Sequence, residues 1–526
     1  MIFPLLHSFT GGSEVFNFVF LFPQGMVLKK RIFYLKIQLK FYYFIERNDL
    51  YWRWMYANHH LHQIRVQKSF SKFLSPTLMK KASNKTAVVI GGSMAGLLAT
   101  RVLSDHFHEV ILIESDKMKN IPESRKGQPQ TRHVHVLLAR GFQVMSHYFP
   151  DLSQSVKREG GLVVDLGQNM RWYCYGGYRQ RFDLGVEAVI SDRTFLECHI
   201  RKRVVDLPNV KVLDGFRVDK LLSTDEHDHI TGVKIKQQDQ QDNTQTLLTD
   251  LVIDCSGRSS KSAKWLAELG YPKAPKSVVT CGTGYTTRLY QRNTEESGSK
   301  DWVFITPEAP KEYRGGGVFP IEGNRWIVSL GGWHGNHAPK DEAGFLEFAR
   351  SLPAPDIYDI IRRSKPLSDF SIYKYPASTR HHYEKIKNFP QRYLIIGDAL
   401  CSFNPLYGQG MTSAALQAAT LDRLLQERDG SLEGISKIFF KRAAKIVAIP
   451  WQTAVGEDFR FPETGGRKPP GTDLINAYTA RIHRVTHYDA VVGLAFFKVL
   501  NMIKSPVSLF HPRILWRVLF SKKAKA

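Results

Sequence analysis

An α/β fold is predicted, with a mostly parallel sheet interleaved with a second, meandering sheet and followed by C-terminal helices. Three observations predict it. A β-branched run ends in a glycine turn and passes into a helical pattern at Thr86–Phe107. Far downstream, another apolar run ends in a second glycine-lined turn, at Tyr393–Gly410. Between the two lie short alternating segments, and beyond Ser431 the pattern is helical.

The first unit begins with the strand "TAVVI" (Thr86–Ile90). "GGSMAG" (Gly91–Gly96) is a tight turn, and Leu97, Leu98, Val102 and Leu103 then recur at helical spacing. "EVILIE" (Glu109–Glu114) is the returning strand. This is a βαβ unit of Rossmann-like type with an acid 23 residues after the first glycine, the distance expected for a ribose-binding carboxylate. Gly91 permits the turn, and Gly96 lets the helix close on the strand. Ser93 takes the place of the usual middle glycine, with Met94 and Ala95 after it. The helix start offers unpaired N–H groups to a pyrophosphate, so this unit is expected to bind a dinucleotide.

The second glycine turn follows a strand at Tyr393–Ile396. It reads Gly397-Asp398, then Pro405, then Gly408-Gln409-Gly410-Met411 and an Ala-rich helix. These residues resemble the Gly-Asp motif of FAD-dependent monooxygenases of the aromatic-hydroxylase and squalene-epoxidase type. The resemblance covers most of residues 85–430. It implies that Asp398 takes the flavin ribityl, with Gly397 beside it, and that Gly408, Gly410 and Met411 lie under the ring. It also makes Arg125, in "ESRKGQPQTRHVHVLLARG" (Glu123–Gly141), a pyrophosphate contact. Arg193, in "ISDRTFLECHIRKRV" (Ile190–Val204), is placed near the flavin. The family's Asp-Gly motif falls at Asp250–Leu266, where this chain reads Cys255-Ser256-Gly257-Arg258. That departure bears on the nicotinamide more than on the flavin, and it leans toward the halogenase and prenyl-reductase branch. The halogenase Trp-x-Trp-x-Ile-Pro signature is absent, and Trp52-Arg53-Trp54 lies outside the cofactor region.

The resemblance implies an oxidoreductase that holds FAD, takes electrons from NAD(P)H and inserts one oxygen from O2 into an apolar or aromatic substrate through a flavin C4a-hydroperoxide. Two alternatives stay open: a flavin-dependent reductase of a prenyl-type lipid, and a non-catalytic flavin-binding module that docks on a membrane or partner.

The interval between the motifs supplies a substrate lobe, about 162–250 and 272–376. Its expected strands include "GGLVVDL", "VEAVI", "VKVLDGF", "HITGVKIKQ", Val278–Tyr290, Gly315–Trp333 and "SIYKYPAS". "DEAGFLEFARSL" (Asp341–Leu352) reads as a helix. Tyr285, Phe304, Phe319, Trp326 and Trp333 either line an apolar pocket or fill a core. The catalytic residues are not legible, although His133 and His135 fall in the segment that crosses the cofactor. His106 and His108, the cluster His59, His60 and His62, and His381–His382 have no acid or thiol partner at ligand spacing, so no metal site is expected. Five scattered cysteines, never as Cys-x-x-Cys, argue against a disulfide scaffold and for a reducing, cytoplasmic compartment.

The net charge of +24 is concentrated at the ends: residues 1–78 carry +7 and residues 481–526 carry +8. No nucleic-acid-binding signature accompanies it. Basic, apolar-rich ends fit an anionic membrane surface, and they equally fit a solvated basic face. Residues 1–78 hold 18 of the 62 aromatics without periodicity, as in "FNFVFLF" and "FYYF". Residues 1–84 are therefore read as an extension, with Met79 expected as the native start of translation. A targeting segment is the alternative. Residues 431–526 form a basic helical region, whose apolar run Ala490–Phe497 is too short to span a bilayer.

Overall fold

The computed structural model describes residues 83–238, 244–293 and 299–521. The expectations for residues 1–78, Met79, Trp52–Trp54 and His59, His60 and His62 lie outside the described residues.

Strand β1 (Ser83–Ile90) is built from small and β-branched residues and ends where Gly91 turns at a φ of +99°. Helix α1 (Met94–Ser104) follows. Its Leu97, Leu98, Ala99, Val102 and Leu103 are fully buried against the sheet, a contribution of about 1.5–3 kcal/mol for each large side chain. Strand β2 (Phe107–Glu114) then runs parallel to β1, with Val89 opposite Leu112. Helix α2 (Arg193–Val205) leads into β3 (Val210–Asp214), which pairs parallel with β2. This corrects one expectation, because "VKVLD" extends the first sheet and not the second lobe. A parallel partner needs a crossover, and α2 supplies one directly before it. On the other side of β1 lie β4 (Leu251–Asp254) and then β5 (Tyr393–Ile395), giving the order β5-β4-β1-β2-β3.

The register of this sheet places the motifs. Ile90 lies opposite Asp254, and Asp254 lies opposite Ile395. Because the strands are parallel, their C-terminal ends share one edge. The turns at Gly91, Cys255 and Gly397 therefore emerge side by side although hundreds of residues separate them in sequence. That edge is where ligands of open α/β sheets bind.

A second sheet contains nine strands among the described residues. Its long strand Lys276–Gln291 lies between Ser371–His381 and Arg325–Gly332, both antiparallel to it. Arg314–Ile321, Trp302–Ile305 and Met170–Cys174 continue the sheet. Phe216–Ser223, Ile230–Gln237 and Thr244–Leu248 form a separate three-stranded meander. Helix α3 (Gly410–Glu427) starts at the second glycine turn and packs on α1 and on the helix Ala139–Tyr148. Its Ala414, Ala415 and Ala418 are buried and permit close approach. Helices α4 (Ile435–Asp458), α5 (Thr472–Val485), α6 (Ala490–Leu500) and α7 (Pro512–Phe520) follow. Among the described residues no helix is long and apolar enough to cross a membrane.

Candidate cofactor site

The first glycine turn is held by sterics. A Cβ on Gly96 would stand 1.7 Å from the carbonyl oxygen of Gly91, and a Cβ on Gly91 would stand 2.7 Å from that of Cys255. Ser93 is the extended N-cap of α1, but its side chain does not cap. Its hydroxyl donates to Glu197 (3.0 Å) and accepts from Arg193 (3.2 Å). The first N–H groups of α1 are thereby left to a ligand. Met94 is buried, while Ala95 is half-buried and faces the second motif. A Cβ on Gly397 would lie 2.9 Å from that of Ala95, so the two turns are in direct apposition.

Glu114, at the end of β2, is 7% exposed. One of its oxygens accepts from the N–H of Gly92 (2.7 Å) and the other from that of Asp116 (2.9 Å). It thus fixes the glycine turn from behind. Arg125 pairs with Glu114 (3.3 Å) and Glu197 (2.6 Å), and donates to the carbonyl of Gly92 (3.0 Å). Arg193, at the start of α2, pairs with Glu197 at 2.9 Å. Arg201, one helical turn beyond Glu197, reaches the same carboxylate at 3.5 Å.

Burial alone would raise the Glu197 carboxyl. Arg193 and Arg125 outweigh it and hold the group below the usual carboxylate range. Three buried guanidinium groups therefore share two buried carboxylates, leaving one positive charge in excess. Nε and Nη1 of Arg125, Nη1 of Arg193 and Nε of Arg201 are buried without a hydrogen-bond partner. A buried cation cluster of this kind, beside free helix N–H groups, fits a pyrophosphate.

At the second motif Gly397 turns at a φ of +73°, and its N–H donates to the side-chain Oε1 of Gln417 at 3.0 Å. The Asp398 side chain is reached by solvent yet has protein packed closely around it. Desolvation pushes its carboxyl up to about 6, against the pull of Arg258 and Arg193. Gly408, at a φ of +66°, and Gly410 have no heavy atom within 4 Å of where a Cβ would stand, so space lies open at the start of α3. Met411 is half-buried and packs on the core beneath them.

The segment Glu123–Gly141 brings His133 and His135 to this region. His133 shares a hydrogen bond with Thr287 (2.7 Å) and meets Tyr285 edge-on (4.9 Å). Burial, followed by repulsion from His135 and Arg132, holds it neutral, down to about 3. His135 is lowered to about 4, mainly by burial and then by Arg193. Arg258 lies 4.5 Å over the Tyr375 ring and donates to Tyr373 at 3.2 Å. In the altered Asp-Gly segment Asp254 is fully buried. It accepts from the N–H of Ser256 (2.9 Å) and from the hydroxyls of Ser256, Ser260 and Ser262.

The structure brings Gly91, Ser93, Ala95, Gly96, Glu114, Arg125, Arg193, Gly397 and Asp398 together at the C-terminal edge of the first sheet. It does not bring the five singled-out aromatics together. Phe304 and Phe319 belong to one cluster, Trp326 to a second and Trp333 to a third, while Tyr285 meets His133. Sequence reasoning missed Glu197, Arg201 and Arg258, although Arg193, Glu197 and Arg201 follow the i, i+4 spacing that joins charges on a helix. Among the described residues no three His, Cys, Asp or Glu side chains gather as metal ligands. All five cysteines are free and buried.

No family model matches the chain. Protein Rv3254 of Mycobacterium tuberculosis is 28% identical over 385 residues, covering 70% of this chain and 80% of that protein. Of solved structures, PqsL of Pseudomonas aeruginosa, a probable FAD-dependent monooxygenase, superposes with a TM-score of 0.52 at 16% identity, over 72% of this chain and 98% of that one. A flavoprotein/dehydrogenase from Cytophaga hutchinsonii gives 0.58 at 12% identity, over 82% and 95%. The chain therefore has the fold shared by flavin-dependent monooxygenases and related flavoproteins.

Proposed function

We propose that this protein is an FAD-dependent monooxygenase, reduced by NAD(P)H, that places one oxygen from O2 on an apolar or aromatic substrate. The observation that carries the reading is the apposition of the Gly397 turn on Ala95 at the start of α1, with an open glycine turn leading into α3 further along the same loop and an excess buried cation alongside. One long ligand with an anionic middle satisfies all of these features together. Arg125, Arg193 and the first N–H groups of α1 would hold its pyrophosphate. Glu114 would hold the turn beneath its ribose. Asp398 would accept from its ribityl hydroxyls, and Gly408, Gly410 and Met411 would underlie the ring.

Bound FAD supplies the oxygen-activating redox chemistry. The chain's own residues orient and enclose. His133, neutral at working pH, offers a hydrogen bond and not a charge to whatever lies against it, and Tyr285 and Tyr373 pack around it. Such an aromatic wall would exclude water from a ligand held beside it. PqsL has been solved with 2-aminobenzoylacetate, so small amino-aromatic acids are the first substrates to screen here.

The test is the visible spectrum of purified protein supplied with FAD, followed by NAD(P)H consumption with and without O2. A yellow protein whose substrate-stimulated turnover requires O2 is expected. A preparation that stays colourless overturns the cofactor reading, and turnover that persists anaerobically replaces oxygen insertion with hydride transfer.

The partner reading extends to a peripheral contact with an anionic membrane through α7. Trp516 (62% exposed), Leu519 and Phe520 face solvent there, in a terminal region carrying nine basic residues against the single Asp489.

A further inference from the structure

Asp458 closes helix α4, and its side chain is completely buried. Three donors from two distant segments converge on its Oδ1. Trp333 Nε1 approaches from the end of strand Arg325–Gly332 at 3.0 Å. Asn404 Nδ2 and the Tyr407 hydroxyl approach from the loop after Gly397–Asp398, at 2.9 and 3.2 Å. Its Oδ2 is buried with no partner, and no ion pair joins the carboxylate among the described residues. Desolvation therefore raises its carboxyl to about 6, in spite of the three donors.

A buried, uncompensated carboxylate is a costly way to fill a core, so its contacts explain its presence better than its packing does. Two of the three donors belong to the loop that ends in Gly408 and Gly410. Asn404 is itself a node. Its Oδ1 accepts from the N–H of Leu406 (3.2 Å), its own N–H donates to Ser378 (3.1 Å), and its Nδ2 also reaches Thr283 (3.0 Å). Behind Asp458, Thr464 donates to its carbonyl at 2.6 Å, and Trp333 stacks on Phe461. The carboxylate thus ties the C-terminal helix and the second sheet to the start of α3.

We propose that Asp458 is a positioning residue for the flavin site: through Asn404 and Tyr407 it fixes the turn Gly408–Gly410, and with it the direction of the N–H groups that α3 presents to the cofactor. The proposal rests on the FAD reading above. It makes the C-terminal helices part of the site rather than an appendage to it.

The test compares Asp458→Ala, Asp458→Asn, Trp333→Phe and Tyr407→Phe with wild type, all as full-length protein. The readouts are FAD dissociation constant by flavin fluorescence quenching, the shape of the bound flavin's visible band, and far-UV circular dichroism. Wild type that takes up no FAD overturns the cofactor reading, and this proposal falls with it. Where wild type binds, Asp458→Ala is expected to weaken FAD binding by about tenfold or more and to shift the flavin band while its circular dichroism stays native. Asp458→Asn keeps an acceptor in the same place and restores most of the wild-type band. Should Asp458→Ala fail to fold, the two single-donor variants carry the test, each with a smaller shift of the band in the same direction. Variants that bind FAD with wild-type affinity and a wild-type spectrum overturn the positioning role and leave the cofactor reading intact.

Discussion

Two carboxyls at the site differ in the sign of their perturbation, and the difference is testable residue by residue. Asp398 is raised to about 6 by desolvation, so without ligand it resists ionisation. Ribityl hydroxyls donate to a carboxylate and favour its charged form. FAD binding therefore has to draw a proton off Asp398 at low pH, and affinity falls as pH drops below about 6, by up to about tenfold per unit. Asp398→Asn should flatten this slope in a pH series of FAD titrations. Comparison with wild type isolates Asp398 from Asp458, which titrates in the same range. Persistence of the full slope in Asp398→Asn would remove Asp398 from the ribityl role. Glu197 behaves oppositely. Its carboxyl is depressed by Arg193 and Arg125, so its contribution to stability is present above the ordinary glutamate range and is lost as pH falls through its lowered value. Glu197→Ala leaves Arg193 and Arg201 without a carboxylate and Arg125 with Glu114 alone, and a loss of about 3–5 kcal/mol is expected in denaturant melts, partly recovered by added FAD because its pyrophosphate replaces the missing charge.

Secondary-structure elements meet at contacts of one or two atoms, and glycine decides whether they can. Gly96 sits where α1 crosses the end of β1, and a methyl group there would lie 1.7 Å from the Gly91 carbonyl oxygen. Backbone, not a flexible side chain, is the obstacle. Gly96→Ala is therefore expected to displace α1 and abolish FAD retention, seen as a colourless protein after desalting; normal retention would show that α1 does not present its N-terminus to the ligand. Elements of this kind were legible in the sequence because each is local: the strand, turn and helix at Thr86–Ser104 are set by consecutive residues, and so is the turn after Gly397. The apposition of Gly397 on Ala95 follows once both strands are placed in one parallel sheet. The network around Asp458 was not legible. Its partners lie 125, 54 and 51 residues away, and no periodicity in any of those segments marks them. The scattering of the five aromatics among separate clusters has the same cause, since face and sheet position, not residue type, decide which of them meet.

Over the whole molecule, charge and apolar exposure coincide at one place. Helix α7 buries Ile514 and Val518 against α5 and the Pro506–Phe510 turn, while Trp516, Leu519 and Phe520 remain 62, 41 and 55% exposed. Trp516 and Phe520 meet each other at 4.3 Å with their rings tilted by 39°. Asp489, the acid of this region, is turned inward, capping α6 and pairing with Arg517 at 2.8 Å, so it offsets the charge of that one arginine. Aromatic rings set among basic residues suit the interface of an anionic bilayer, where rings reach the headgroup level and each nearby cation adds about 1 kcal/mol. Flotation with phosphatidylserine vesicles should therefore carry the protein upward at low salt. The combined variant Trp516→Ser, Phe520→Ser should remain at the bottom with its flavin spectrum unchanged. Equal flotation on neutral phosphatidylcholine would remove the charge argument. Concentration-dependent self-association that is lost in the variant would assign the patch to a second copy of the chain. The position of the patch matters to the reaction as proposed, because the helices that carry it continue from α4, whose last residue, Asp458, hydrogen-bonds the flavin-site loop. Vesicle binding should then perturb the visible band of bound flavin in wild type and fail to do so in Asp458→Ala, which removes the acceptor that joins α4 to the loop.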